Sequence, residues 1–166
     1  MIRKATKNDI NRIVEIELFV SRYNFKNIIS NEILYKKNTY EFTLDWITKS
    51  FDNLENDERI AEYYIIENEE NIIIGWFSIV FSKKSRECSI WNIRIDVPFQ
   101  YNNYGTLAMH FCFDLMKERG INKMILHTFE KNTIAIKFYE KMGFLFINRE
   151  FSEELKINIL NYEKLL

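Results

Sequence analysis

The sequence predicts an α/β (α+β) fold, a mixed and mostly antiparallel central sheet flanked by helices on both faces. Three observations predict it. Tyr63–Glu67 and Ile72–Val80 are β-branched and aromatic runs joined by the polar turn Asn68-Glu69-Glu70-Asn71, which reads as a hairpin. From Ile90 to Phe144 the apolar period switches from strand to helix, back to strand and again to helix, so a crossover joins two strands of the same sheet. Leu145–Phe151 and Lys156–Tyr162 can then add two antiparallel strands. With 166 residues, 47% of them hydrophobic, the chain suits one domain spanning residues 1–166 around a packed core.

Taken in order, Met1–Ala5 reads as a short strand, and Thr6–Asp9 offers caps for a helix from Ile10 to about Tyr23. Ile10, Ile13, Val14 and Leu18 form its apolar stripe, which Glu17 interrupts. A lone acid there is either a surface carboxylate at the stripe edge, as base rates favour, or a candidate substrate-binding residue. Asn31–Lys36 and Glu41–Phe51 suggest one or two further helices. Their region interleaves aromatics (Tyr23, Phe25, Tyr35, Tyr40, Phe42, Trp46) with acids (Glu32, Glu41, Asp45). Such a set could hold an amine cation, although aromatics at helical spacing are more often core. Ser82–Arg86 is a turn, and Glu87 opens the strand that continues through Ile90–Ile95, where Asn92 and Arg94 alternate with Trp91, Ile93 and Ile95. A helix follows over Leu107–Arg119 and ends at Gly120; after the strand Met124–Leu126, Asn132 can cap a helix over Thr133–Met142 that Gly143 closes.

The totals exclude several function classes. Net charge is -1 with no basic run, so no nucleic-acid partner is expected. No apolar run approaches ~18 residues and the N-terminus lacks a signal-peptide core, so neither a membrane span nor export is expected. Cys88 and Cys112 make no disulfide framework and fit a reducing, cytoplasmic setting. Two histidines and no Cys/His cluster predict no metal site.

The functional reading centres on Gln100–Thr106. A turn feeding a helix start offers unpaired backbone N–H groups and the positive end of the helix dipole, which suits a phosphate without any basic side chain. Gln100, Tyr101, Asn102, Asn103, Tyr104, Gly105 and Thr106 are therefore the candidate phosphate loop. Gln100-x-x-Asn103-x-Gly105 resembles the Q/R-x-x-G-x-G/A loop of the GNAT superfamily of acyl-CoA-dependent N-acyltransferases. Asn132-x-x-Ala135-x-x-Phe138-Tyr139-x-x-x-Gly143-Phe144 resembles that family's second signature, at the right distance and in the right order. Asn103 stands where the family usually has glycine, and Tyr101 where many members do.

The resemblance implies acetyl-CoA as co-substrate and transfer of its acetyl group to a primary amine. It implies that the loop holds the CoA diphosphate and that Asn132 contacts the cofactor as well as capping its helix. It also implies that the strand end at Ile93 and Ile95 pairs with the pantetheine arm, and that Tyr139 protonates the leaving thiolate as general acid. Helical spacing puts Phe138 and Tyr139 about 100° apart, so Tyr139 can face a cleft while Phe138 faces core. His127, at the carboxyl end of its strand, is the candidate general base because imidazole titrates in the useful range; Glu87 and Glu130 are held in reserve. Asn92 is a candidate substrate contact, and Arg94 reads as an ion-pair partner. A small-molecule amine is the first expectation for the acceptor. A protein or peptide N-terminus and a non-catalytic CoA-binding module are the alternatives, as a monomer or homodimer.

Overall fold

The computed structural model describes residues 1–166. Seven strands form one sheet: β1 (Ile2–Lys4), β2 (Arg59–Glu67), β3 (Ile73–Ser82), β4 (Glu87–Ile95), β5 (Lys123–Phe129), β6 (Leu145–Ser152) and β7 (Ile157–Leu165). Their order is β1-β2-β3-β4-β5-β7-β6. Only β4 and β5 run parallel, joined by α3 (Tyr104–Glu118) as the crossover. α1 (Ile10–Phe25) and α2 (Tyr40–Asp52) cover one face, and α3 with α4 (Thr133–Lys141) covers the other.

β3 reads as a nearly continuous apolar run because both of its faces are covered. On the α3 side Phe77, Ile79, Ile90, Met109, Met116, Leu126 and Tyr162 share one core; on the α1 side Ile13, Ile16, Ile47, Ile65 and Trp76 share another. Cys88 and Cys112 are both buried in the first. Burial pushes the Cys88 thiol up to about 12, which leaves it an inert packing group.

One irregularity shapes the centre of the sheet. Ile79 pairs with Ile90, but Ser78 pairs with Asn92, so Trp91 is an extra residue in β4. Such a bulge bends and twists its strand. The parallel pairing of β4 with β5 stops at Ile90 and Leu126, although β4 runs on to Ile95 and β5 to Phe129. Past the bulge β4 stays with β3, β5 stays with β7, and the sheet opens between them. The bulge also corrects the simple alternation expected from sequence. Ile93 and Ile95 pack toward the α3 core as Cys88 and Ile90 do, whereas Trp91 lies beside Val80 on the α1 side, the face that Asn92 and Arg94 also take.

Two ion pairs fasten α1 to the far end of β4 and to Asp96 just beyond it. Arg12 Nη2 donates to Asp96 Oδ2 at 2.6 Å, and Arg94 Nε lies 2.9 Å from Glu17 Oε2. The second corrects the expectation for Glu17. It is neither a surface carboxylate nor a cleft residue: it is 6% exposed, with Ser21 Oγ donating to Oε1 at 2.9 Å and Arg94 Nη2 donating to the same oxygen at 3.2 Å. A buried carboxylate requires such partners, and Arg94, 77 residues away, was the missing half of the pattern.

The segment between α1 and α2 includes a short π-helical turn at Glu32–Lys37. Ile29 and Leu34 close with Phe25 over Phe129 and Ile157. Of the aromatics singled out there, Phe25 is buried, while Tyr35, Tyr40 and Phe42 are exposed and contribute to neither core nor cleft.

Candidate active site

The split sheet opens into a cleft of ≈ 740 Å³ bounded by the end of α1, the far half of β4, the loop before α3, the end of β5 and one side of α4. Twelve of the residues singled out from sequence lie on its wall: Tyr139 and His127; Ile93 and Ile95; Gln100, Tyr101, Asn103, Tyr104, Gly105 and Thr106; Asn132; and Asn92. Glu17 and the side chain of Asn102 do not. Asn102 Nδ2 instead donates to the Gln100 carbonyl at 3.2 Å, fastening the loop from behind. The reserve bases also lie elsewhere: Glu87 pairs with Lys123, and Glu130 with Arg149 and Asn158.

The loop is built from the end of β4 onward. Asp96 Oδ1 accepts the Val97 N–H at 2.8 Å and starts a single tight turn over Val97–Phe99. The chain then takes two left-handed steps, Tyr101 and Asn103, each at φ 63. The first helical bond of α3 runs from the Leu107 N–H to the Asn103 carbonyl. Between Gln100 and Leu107 no backbone N–H has a partner in the protein, leaving Tyr101 through Thr106 as successive free donors. Such alternating backbone at a helix N-terminus forms an anion-binding concavity. At Gly105 a Cβ would meet Phe138 Cζ at 3.6 Å, an ordinary contact, so the fold itself tolerates a side chain there.

Ile93 and Ile95 present their polar edge to the split. The Asp96 N–H bonds to the Ile74 carbonyl across the β3 side, so the strand alternation turns the Ile95 N–H the opposite way. Gln100 Nε2 donates to the Ile95 carbonyl at 2.9 Å, tying loop to strand.

Tyr139 sits on α4 between Phe138 and Phe144, with ring centroids 5.4 and 5.9 Å away. Phe138 and Tyr139 both touch the α3-side core and both reach the cleft, so the expected division of one ring to core and one to cleft is only half realised. The Tyr139 hydroxyl has no hydrogen-bond partner within the protein and is not sealed off. The surrounding protein disfavours its phenolate and raises its pKa, with the Arg94 guanidinium opposing. Asn132 caps α4, its Oδ1 accepting the Ala135 N–H at 3.3 Å.

His127 lies within β5 opposite Asn161 of β7, rather than after the strand's end. It keeps an exposed edge, yet crowding by protein and the nearby Arg94 charge hold its pKa below the ordinary 6.5, with Glu150 opposing. Both effects favour the neutral imidazole, the state a proton acceptor needs.

Sequence reasoning missed the cleft role of Arg94. The guanidinium on the wall is fixed by Glu17 and lies 5.5 Å from the Phe25 ring centre. Phe25 in turn meets Phe129 edge to face at 5.0 Å. The charged residues on the cleft wall are Arg94 and Lys141, and no Asp or Glu lines it.

This arrangement has known counterparts. The family described as Acetyltransferase (GNAT) family matches residues 28–144. A [Ribosomal protein bS18]-alanine N-acetyltransferase of Haemophilus ducreyi is 31% identical over 58 residues, 35% of this chain and 40% of that protein. Its Escherichia coli namesake is 24% identical over 99 residues, 60% of this chain and 64% of that protein. The chain thus matches less than two thirds of the length of these curated relatives. Among solved structures, PaiA N-acetyltransferase of Thermoplasma acidophilum in complex with coenzyme A superposes with a TM-score of 0.72 at 19% identity, covering 100% of this chain and 98% of that one. A point variant of the spermidine N-acetyltransferase SpeG of Vibrio cholerae does so with a TM-score of 0.72 at 17% identity, covering 99% and 94%. These likenesses carry the seven-stranded split fold. With the family match extending from the α1–α2 segment to the end of the second signature, the chain belongs to the GNAT acetyltransferase family.

Proposed function

We propose that the protein transfers the acetyl group of acetyl-CoA to a primary amine by direct attack within the split of the sheet. The observation that carries this reading is the run of free backbone donors from Tyr101 through Thr106, at the mouth of a cleft that also holds Tyr139 and His127. Six unpartnered donors at a helix N-terminus fit the diphosphate of CoA and need no basic side chain. Bound acetyl-CoA supplies the thioester carbonyl and the thiolate leaving group. The Ile95 N–H faces the split, where it can donate to the carbonyl oxygen as negative charge develops on it. Tyr139, kept protonated by its raised pKa, gives its proton to the departing sulfur. His127, kept neutral, receives the proton of the attacking amine, directly or through water.

The cleft also weighs on the acceptor. A polycationic amine would meet Arg94, already paired with Glu17, and no carboxylate on the wall itself, with Glu150 the acid near His127. A small amine with a neutral body, or the N-terminus of a peptide, suits these walls better than a polycation. Acetyl-CoA titrated with amine acceptors, with release of free thiol as the readout, tests the proposal. Turnover that needs both Tyr139 and an acceptor amine supports it. Tight CoA binding without turnover of any amine would leave only a CoA-binding module.

A further inference from the structure

A second cavity of ≈ 360 Å³ lies on the α1 side of the sheet, and Trp91 is a wall of both it and the catalytic cleft. Its floor is Val80, Ser89 and Ile125; its rim carries Arg59 and Lys84 with Glu58 and Glu87. Ile125 and His127 project from the same face of β5, two residues apart, as strand alternation requires. A trough therefore runs from the catalytic histidine down the parallel β4–β5 pair. α1 and α2 pack on the neighbouring strands and leave it open. At the other end of the acceptor side Phe25 meets Phe129 at 5.0 Å and the α1–α2 segment packs over them. An acceptor longer than the cleft can leave it past Trp91, which lines both spaces.

Resting on the acetyltransferase reading above, we propose that this second cavity is the distal acceptor subsite, and that it takes the body of an extended peptide whose N-terminal amine reaches His127. The chemistry of the cavity selects that occupant. Both signs of charge stand on the rim, with Lys84 Nζ on Glu58 at 2.7 Å and the Arg59 guanidinium held 4.6 Å from the Trp91 ring centre. Ser82 and Ser89 offer hydroxyls for backbone groups, and Val80 and Ile125 an apolar floor. A polycation or a polyanion would be repelled by half of such a rim, whereas a polypeptide presents mixed polarity along its length. From His127 to Lys123 the trough is roughly 13 Å long at the rise of a strand, room for about four extended residues.

The test compares alaninamide with alanyl peptides of two, four and six residues as acceptors for acetyl-CoA. Wild-type kcat/KM should climb with length and level off at about four residues. Ser89→Arg and, separately, Ile125→Arg should fill the cavity. Each should raise the KM of the hexapeptide by about ten-fold, with its kcat and the kcat/KM for alaninamide little changed. Calorimetric binding of the hexapeptide to the CoA-loaded protein should weaken in parallel, which gives a readout that does not depend on turnover. A flat dependence on length, or a hexapeptide KM that neither arginine moves in a variant that still binds CoA, overturns the subsite. Absence of turnover with every acceptor, alaninamide included, would instead overturn the acetyltransferase reading on which it stands.

Discussion

Tyr101 and Asn103 stand two positions apart in the same left-handed backbone conformation, each at φ 63. They flank the turn that frees the donors of the candidate phosphate cradle. They are also the two positions at which the chain departs from the glycines of the resembled loop. The departure thus places two side chains in a conformation that favours glycine. Asparagine tolerates this region better than most residues; tyrosine does not, and its ring projects into solvent, 82% exposed.

Tyr101→Gly should therefore stabilise the protein. Relief of a left-handed tyrosine is worth roughly 1–2 kcal/mol, of which glycine's larger unfolded-state entropy returns about 0.5–1 kcal/mol. A small rise in the urea midpoint with unchanged CoA affinity is the expected outcome. A fall would mean that the Tyr101 ring makes a stabilising contact.

Tyr139→Phe removes the proton without emptying the space between Phe138 and Phe144. Loss of a general acid costs about 10²–10⁴-fold in rate. That loss should fall on kcat, with acetyl-CoA binding retained by calorimetry. Because burial raises the Tyr139 pKa above the ordinary 10.0, the wild-type profile should show no alkaline limb from this residue below that value.

His127 should write the acid limb. Its folded pKa is depressed below 6.5, so kcat/KM should fall only as pH drops through that lowered value, where imidazole takes up a proton and ceases to be a base. His127→Gln should lower kcat/KM and remove this limb. A variant that keeps the wild-type limb would assign the base to another group or to water.

Glu17 and Arg94 should prove interdependent. Glu17→Met leaves a guanidinium in the cleft wall without its counter-charge, and breaking a buried pair costs about 3–5 kcal/mol. Replacing both with methionine should recover most of that loss, because two buried charges are then exchanged for apolar packing. Urea unfolding of the two single variants and the double variant measures the coupling; simple additivity would mean that the pair is not a unit.

Much of this molecule is legible in local sequence. Asn132 caps α4, Gly120 and Gly143 take positive φ where their helices end, and the hairpin at Asn68–Asn71 closes on the Asn68 side chain. Each depends on residues a few positions apart. The features that escaped are those whose cause is distant in sequence. The Trp91 bulge is visible only once β4 is laid against β3. Glu17 looked like a stray surface charge because Arg94 lies 77 residues on. The insertion of β7 between β5 and β6 is a choice among pairings that periodicity does not rank. The positions of the loop and of Tyr139 were legible through motif spacing, whereas the absence of acids from the cleft wall required the fold.

The central claim is that the donors of residues 101–106 hold the diphosphate of acetyl-CoA. Calorimetric titration of the protein with acetyl-CoA, compared with a Gly105→Pro variant that removes one of these N–H donors in the first turn of α3, tests it most directly. Micromolar binding to the wild type that the variant loses while remaining folded is the expected result. Equal binding by both, or none by the wild type, would contradict it.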